Sequence, residues 1–267
     1  MADFFQTQDG CPIGYTLHPG LTANAPRLAL IHSLALDRTI WDGVVRELDG
    51  AAHVLAYDCR GHGKSGKRGG PYSVQQFAKD LAELFDHAGW PSAAVAGCSM
   101  GGCVAQAFGG LYPERATALG LIDTTAWYGA DAPQQWRDRA AKAQADGLGG
   151  MVDFQLSRWF SDNFRAERPD LVAAAARVFL ATDLEAYASS CLLLGDADVR
   201  RFHALLKMPA TVIAGEEDYA TPLAMARQIH ASVAGSTLKI LPAARHLTPI
   251  ERPDLIAAEL RSLLERT

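Results

Sequence analysis

The sequence predicts an α/β protein: a mostly parallel central sheet flanked by helices, with an all-helical block inserted into it. Three observations carry this. Short apolar runs alternate with amphipathic stretches over residues 27–122. The alternation stops near residue 126 and resumes near residue 206. Between those points the chain shows helical periodicity and no convincing strand. A short apolar run bounded by polar residues is the pattern of a parallel strand buried on both faces, and spacing of three and four marks a helix with one buried face.

The elements follow in order. Asp9-Gly10, between Phe4–Gln8 and Ile13–His18, is a hairpin turn signal. Arg27–His32 reads as a buried strand, and residues 40–48 carry Ile40, Val44, Val45 and Leu48 at helical spacing. His53–Tyr57 is the next strand and ends in the glycine-rich loop Asp58-Cys59-Arg60-Gly61-His62-Gly63. Ser73 suits the N-cap of a helix through Phe77, Leu81, Leu84 and Phe85. Strand Ala93–Cys98, a helix from Cys103 to Tyr112 closed by Pro113, and strand Ala118–Ile122 complete the first half. Strands Ala210–Ala214 and Thr237–Leu241 alternate with helices Leu223–Val233 and Pro253–Leu264. The expected division is residues 1–126 and 206–267 as the core and 127–205 as a helical cap.

Bulk properties narrow the function. The chain has 267 residues, 49% hydrophobic and 21% charged, enough to bury a full core without disulfide or metal staples. A net charge of -5 argues against a nucleic-acid partner, which wants a clustered basic face. Arg60, Lys64, Lys67 and Arg68 form the one dense basic patch, which reads as a solvated loop. Cys11, Cys59, Cys98, Cys103 and Cys191 lack the spacing of a disulfide framework or a zinc site, so neither metal nor cofactor is expected. Met1–Gln6 lacks the features of a signal peptide, and no apolar run approaches about 18 residues, so a membrane partner is not expected. The expected location is the cytoplasm. A homodimer stays open.

The chemistry concentrates at Gly97-Cys98-Ser99-Met100-Gly101-Gly102, which fits G-x-S-x-G between a strand and a helix. A sharp strand-to-helix turn strains the serine backbone, and glycines leave room for the close approach. Ser99 is therefore the expected nucleophile. Cys98, the residue before it, reads as a small buried hydrophobe. Serine needs a neighbouring base. Among eight histidines, His246 stands alone in a loop after the last strand, where it can reach the sheet edge that bears Ser99. Asp218, in Gly215-Glu216-Glu217-Asp218, is the expected acid, with Asp123, Glu216 and Glu217 as competitors. The oxyanion donors would be the Met100 N–H and the Leu34 N–H, with Ser33 the alternative in the same loop.

Taken together, His32-Ser33, the Asp58–Ser65 turn, Gly97–Gly102, Gly215–Asp218 with Thr221-Pro222, and His246 resemble the α/β-hydrolase family over nearly the whole chain. Ser33-Leu34 followed by Trp41, Tyr57–Gly63 and Gly97–Gly102 look closest to the 3-oxoadipate enol-lactonase-like esterases and lactonases. That family often has His-Gly where this chain has His32-Ser33. The order Ser…Asp…His is the order expected of the fold. The resemblance implies hydrolysis of a small-molecule ester or lactone through an acyl-enzyme. Carbon–carbon bond hydrolysis, thioester hydrolysis and cofactor-free perhydrolysis remain alternatives, as does a ligand-binding receptor with an idle triad. A phosphate loop is excluded because Asp58 stands where its first glycine would be. Ser99 excludes the aspartate-nucleophile branches. Ser33, Trp127, Tyr128, Trp136 and Trp159 are candidate substrate contacts, and Arg137 or Arg158 could pair with a substrate carboxylate.

Overall fold

A computed structural model describes residues 3–68 and 70–267. Eight strands form the sheet: β1 (Asp3–Gln6), β2 (Pro12–His18), β3 (Arg27–Ile31), β4 (His53–Tyr57), β5 (Ala93–Cys98), β6 (Ala116–Ile122), β7 (Ala210–Gly215) and β8 (Thr237–Leu241). Their order is β1-β2-β4-β3-β5-β6-β7-β8. β1 and β2 are antiparallel to their neighbours, and β4 through β8 run parallel. β5 and β7 are buried at every position. This is why they read as unbroken apolar runs rather than alternating ones. Gly10 makes the β1–β2 turn with φ +79°.

Helices α1 (Asp42–Leu48), α2 (Val74–His87) and α3 (Met100–Leu111) alternate with the strands of the first half. The Ser73 hydroxyl caps α2 by accepting from the Gln76 amide at 3.1 Å. A 3-10 turn, Arg38–Trp41, precedes α1. α3 begins at Met100, three residues before the expected start at Cys103. Gly101 and Gly102 lie inside the first helical turn.

Five helices separate β6 from β7: α4 (Ala132–Asp146), α5 (Val152–Trp159), α6 (Asp162–Glu167), α7 (Pro169–Leu180) and α8 (Leu184–Asp196). The two ends of this block meet. Trp127 bridges Asp198, and the Val199 amide donates to Ala126 O at 2.9 Å. Edge-to-face rings of Trp159 and Phe179 (5.4 Å), and of Phe179 and Tyr187 (6.2 Å), form its core. α9 (Leu223–Ser232), the short α10 (Thr248–Glu251) and α11 (Pro253–Leu264) complete the chain. Among the described residues no single helix is long and apolar enough to cross a membrane.

The basic patch departs from expectation at one residue. Lys64, Lys67 and Arg68 are exposed, but Arg60 is 1% exposed. Its Nε and Nη2 each donate to Asp80 at 2.7 Å, and its Nη1 donates to Asp9 at 2.9 Å. A guanidinium can be buried only where carboxylates meet it. Asp80, one α2 turn before Leu84, supplies that partner.

Candidate active site

Ser99 sits at the apex between β5 and α3 with φ +55° and ψ -115°. Its surroundings hold it in that conformation. The Ser99 amide donates to Ile122 O (2.9 Å), and Ser99 O accepts from the Gly102 amide (2.9 Å) and the Thr124 hydroxyl (2.7 Å). A Cβ on Gly97 would lie 2.0 Å from Gly101 O, and one on Gly101 would lie 2.3 Å from Ile31 O. Neither approach is physically possible, so the turn closes only with glycine at both places. Cys98 is fully buried, and burial pushes its thiol well above the ordinary range.

His246 lies in the loop between β8 and α10. Its Nε2 is 2.9 Å from Ser99 Oγ and its Nδ1 is 2.8 Å from Asp218 Oδ2. Asp218 also accepts from the Ala220 amide (2.7 Å), the Thr221 amide (2.9 Å) and the Thr221 hydroxyl (2.8 Å). Burial raises the Asp218 pKa, but the adjacent His246 and the Thr221 donors outweigh it and hold the carboxyl below the usual carboxylate value. An ionised carboxylate only accepts, so Nδ1 carries the imidazole proton and Nε2 is free to accept from Ser99. The loops of Asp218 and His246 touch: a Cβ on Gly215 would lie 2.1 Å from Arg245 O.

The competing carboxylates are placed elsewhere. Asp123 Oδ1 accepts from the Gly215 amide (3.1 Å), and Oδ2 accepts from the Thr248 amide (3.0 Å) and hydroxyl (2.6 Å). It ties the ends of β6 and β7 to the start of α10. Burial and the neighbouring Asp218 push its carboxyl well above the ordinary range. Glu216 is exposed, and Glu217 lies 3.5 Å from Arg245 Nε.

Met100 opens α3, and the first amides of a helix have no partner within it. Across from it, Ser33 and Leu34 line the same cavity as Ser99. Their loop is shaped from below. His32 Nδ1–H donates to Ser33 O (2.7 Å), and its Nε2 accepts from the Cys59 amide (2.8 Å). His62 packs on it, with ring centroids 5.0 Å apart. Burial pushes His32 down to about 4 and His62 down to about 3. Both native-state values lie below the unfolded value of 6.5. The stabilisation is therefore complete above pH 6.5 and is lost as pH falls from there toward 4. Each ring is expected to remove about 2 kcal/mol of stability at pH 5 relative to pH 7. Imidazole NMR shifts at pH 5 should still report two neutral rings in the folded protein. Protonated rings at that pH would contradict the expectation.

The cavity has a volume of about 620 Å³. Ser99 and His246 lie on its floor, with Ser33, Tyr128, Trp136 and Trp159 among its walls. Two expected contacts are misplaced. Trp127 lies outside the cavity, with the Arg200 guanidinium 3.8 Å above its ring. Arg137 is exposed and donates to Gln134 Oε1 at 3.1 Å. The reason is helical phase. Gln135, Asp138, Arg139 and Lys142 share the cavity face of α4, and Arg137 projects about 100° from its neighbours. Arg139 is the arginine of α4 that lines the cavity, and its spacing of three from Trp136 is the sequence signal for that shared face. Arg139 Nε donates to the Tyr187 hydroxyl (2.8 Å), and Arg158 Nη2 donates to Tyr219 O (2.6 Å). Burial and the charge of Arg139 hold the Arg158 pKa below its usual value. Both guanidiniums therefore face the cavity with neutral hydrogen-bond partners. Among the described residues no cluster of His, Cys, Asp and Glu could hold a metal ion.

Comparison with known proteins places the chain in a family. The family model for the alpha/beta hydrolase fold matches residues 26–253. The chain is 31% identical to 3-oxoadipate enol-lactonase 2 of Acinetobacter baylyi, over 91% of this chain and 90% of that one. The enol-lactonase of Burkholderia xenovorans LB400 superposes with a TM-score of 0.93 at 32% identity, covering 98% of this chain and all of that one. A thermophilic esterase of Thermogutta terrifontis, solved with malate bound, gives 0.90 at 26% identity with full coverage of both chains. The chain belongs to the α/β-hydrolase fold family, among its enol-lactonase-like carboxylic ester hydrolases.

Proposed function

We propose that the enzyme cleaves a small carboxylate-bearing ester or lactone through an acyl-enzyme on Ser99. The observation that carries this is the unbroken chain from Ser99 Oγ through His246 to Asp218, at 2.9 and 2.8 Å, on the floor of a cavity with two arginines in its wall. Ser99 Oγ attacks the substrate carbonyl while His246 Nε2 takes the hydroxyl proton. The Met100 and Leu34 amides stabilise the oxyanion. The carbonyl–oxygen bond to the leaving group breaks, and His246 passes its proton to that alkoxide or enolate. In a lactone the leaving oxygen stays tethered to the acyl group. Water, deprotonated by His246, then attacks the acyl carbonyl, and Ser99 leaves with the proton restored.

Residues 127–205 act as the cap that sets specificity. Arg139 and Arg158 carry the preference for an acid, since a guanidinium is the natural partner of a carboxylate. The name of the enol-lactonase relatives and the malate bound to the Thermogutta esterase accord with an acidic ligand. The test is a parallel assay of an acidic enol-lactone, its neutral methyl ester, a diketone and a thioester. The acidic lactone should be turned over fastest. Arg158→Gln and Arg139→Gln should each lower its kcat/KM about 10- to 100-fold and leave the neutral ester within about threefold. A faster diketone or thioester would replace the ester reading, and equal losses on acidic and neutral substrates would remove the carboxylate contact.

A further inference from the structure

The loop that carries His246 is fastened to the helical block on both sides of the imidazole. Arg245 Nη1 donates to Ser157 O (2.8 Å), Phe160 O (2.9 Å) and Asp162 Oδ1 (3.0 Å). The Leu247 amide donates to Trp159 O at 3.1 Å. Glu251 joins the two segments directly: Oε2 accepts from the Arg245 amide and Oε1 from the Ser161 amide, each at 3.0 Å. Arg245 is 8% exposed and Glu251 7%. Every partner in the block falls within residues 157–162, the turn from α5 into α6. The same stretch places Arg158 and Trp159 in the cavity wall. The guanidinium of Arg245 also lies 5.1 Å from the Tyr219 ring, beside the acid loop.

We propose that Arg245 and Glu251 are positioning residues that lock the His246 loop to the 157–162 turn, so that the base and the cavity wall hold one geometry. The inference rests on His246 acting as the base. Its physical ground is the steep dependence of proton transfer on placement: an error of about 1 Å costs on the order of 100-fold in rate. Asp218 at Nδ1 and Ser99 Oγ at Nε2 hold the imidazole only along the line that joins them, and the ring can still turn about that line. The strap fixes the backbone on either side and removes that freedom.

The experiment compares Arg245→Ala, Arg245→Lys and Glu251→Gln with the wild type on a neutral p-nitrophenyl ester, with active sites counted by fluorophosphonate titration. Arg245→Ala should lower kcat per titrated site about 10- to 100-fold with KM within about threefold. Arg245→Lys, still able to donate to the carbonyls, should regain most of the rate. Glu251→Gln should show a smaller loss in the same sense, since one amide oxygen must serve two donors. A folded Arg245→Ala with unchanged kcat per site, or one whose loss Arg245→Lys does not recover, overturns the proposal. Should Arg245→Ala fail to fold, Arg245→Lys and Glu251→Gln decide: wild-type values for Glu251→Gln overturn it equally. Ser99→Ala, run alongside, separates the two readings, because an active Ser99→Ala would fail the nucleophile and not the strap.

Discussion

Ser99→Ala is expected to lower kcat/KM for an ester or lactone by a factor of about 10⁴ or more, with a melting temperature no lower than that of the wild type. The rate loss follows from the proposed mechanism, which puts the covalent bond on Ser99 Oγ; a hydrolase that loses one member of such a triad keeps only binding and oxyanion stabilisation. The stability argument is separate. Alanine keeps the Cβ that already fits at φ +55°, so the elbow is no more strained than before. Only the Ser99–His246 hydrogen bond is lost, and active sites commonly hold groups at some cost to stability. The measurement is steady-state turnover with intact-mass detection of a fluorophosphonate adduct. Adduct formation on the alanine variant, or residual activity above a few per cent, would place the nucleophile elsewhere.

Asp218→Asn should cost about 10³- to 10⁴-fold in kcat with the fold intact. Asparagine fits the site, but its amide can donate toward His246 Nδ1. That favours the tautomer with the proton on Nε2, which cannot accept from Ser99. Asp123→Asn provides the contrast. Asp123 bonds to Gly215 and Thr248. Its replacement should lower stability, with kcat per folded molecule staying within about tenfold. The two variants measured together at one pH, with unfolding by urea alongside, assign the acid. An Asp218→Asn variant with wild-type kcat, or an Asp123→Asn variant that loses as much as expected for Asp218, would reverse the assignment.

The fold was legible because its signals are local. β3, β4, β5 and β7 each appear as a short apolar run, since a strand buried on both faces has no polar positions to interrupt it. The start of α3, at Met100, is less legible for a related reason. Glycine normally marks the end of a helix, whereas Gly101 and Gly102 are required by backbone contacts with β3 and by the side chain of Thr124. The meeting of Ser99, Asp218 and His246 was foreseeable because each lies just beyond the C-terminal end of a parallel strand, and a parallel sheet brings all such ends to one edge. Arg60 shows the limit of local reading. Four basic residues in nine positions look solvated, and only the convergence of Asp9 and Asp80 on one of them takes it inside.

By itself the sequence determined the order of the elements that meet at the site: a glycine-flanked elbow at Ser99, then the loop with Asp218 after one strand, then the loop with His246 after the last. Those features depend on steric limits and strand ends, which short segments encode. The tertiary structure decided which charged groups face the cavity. It turned Arg137 outward and Arg139 inward, set Trp127 under Arg200, and fastened the His246 loop to the turn at 157–162. These outcomes depend on helix phase and on partners 60 or more residues apart for Arg158, Arg200 and Arg245. A segment carries its own periodicity, but not the position of the element it will meet.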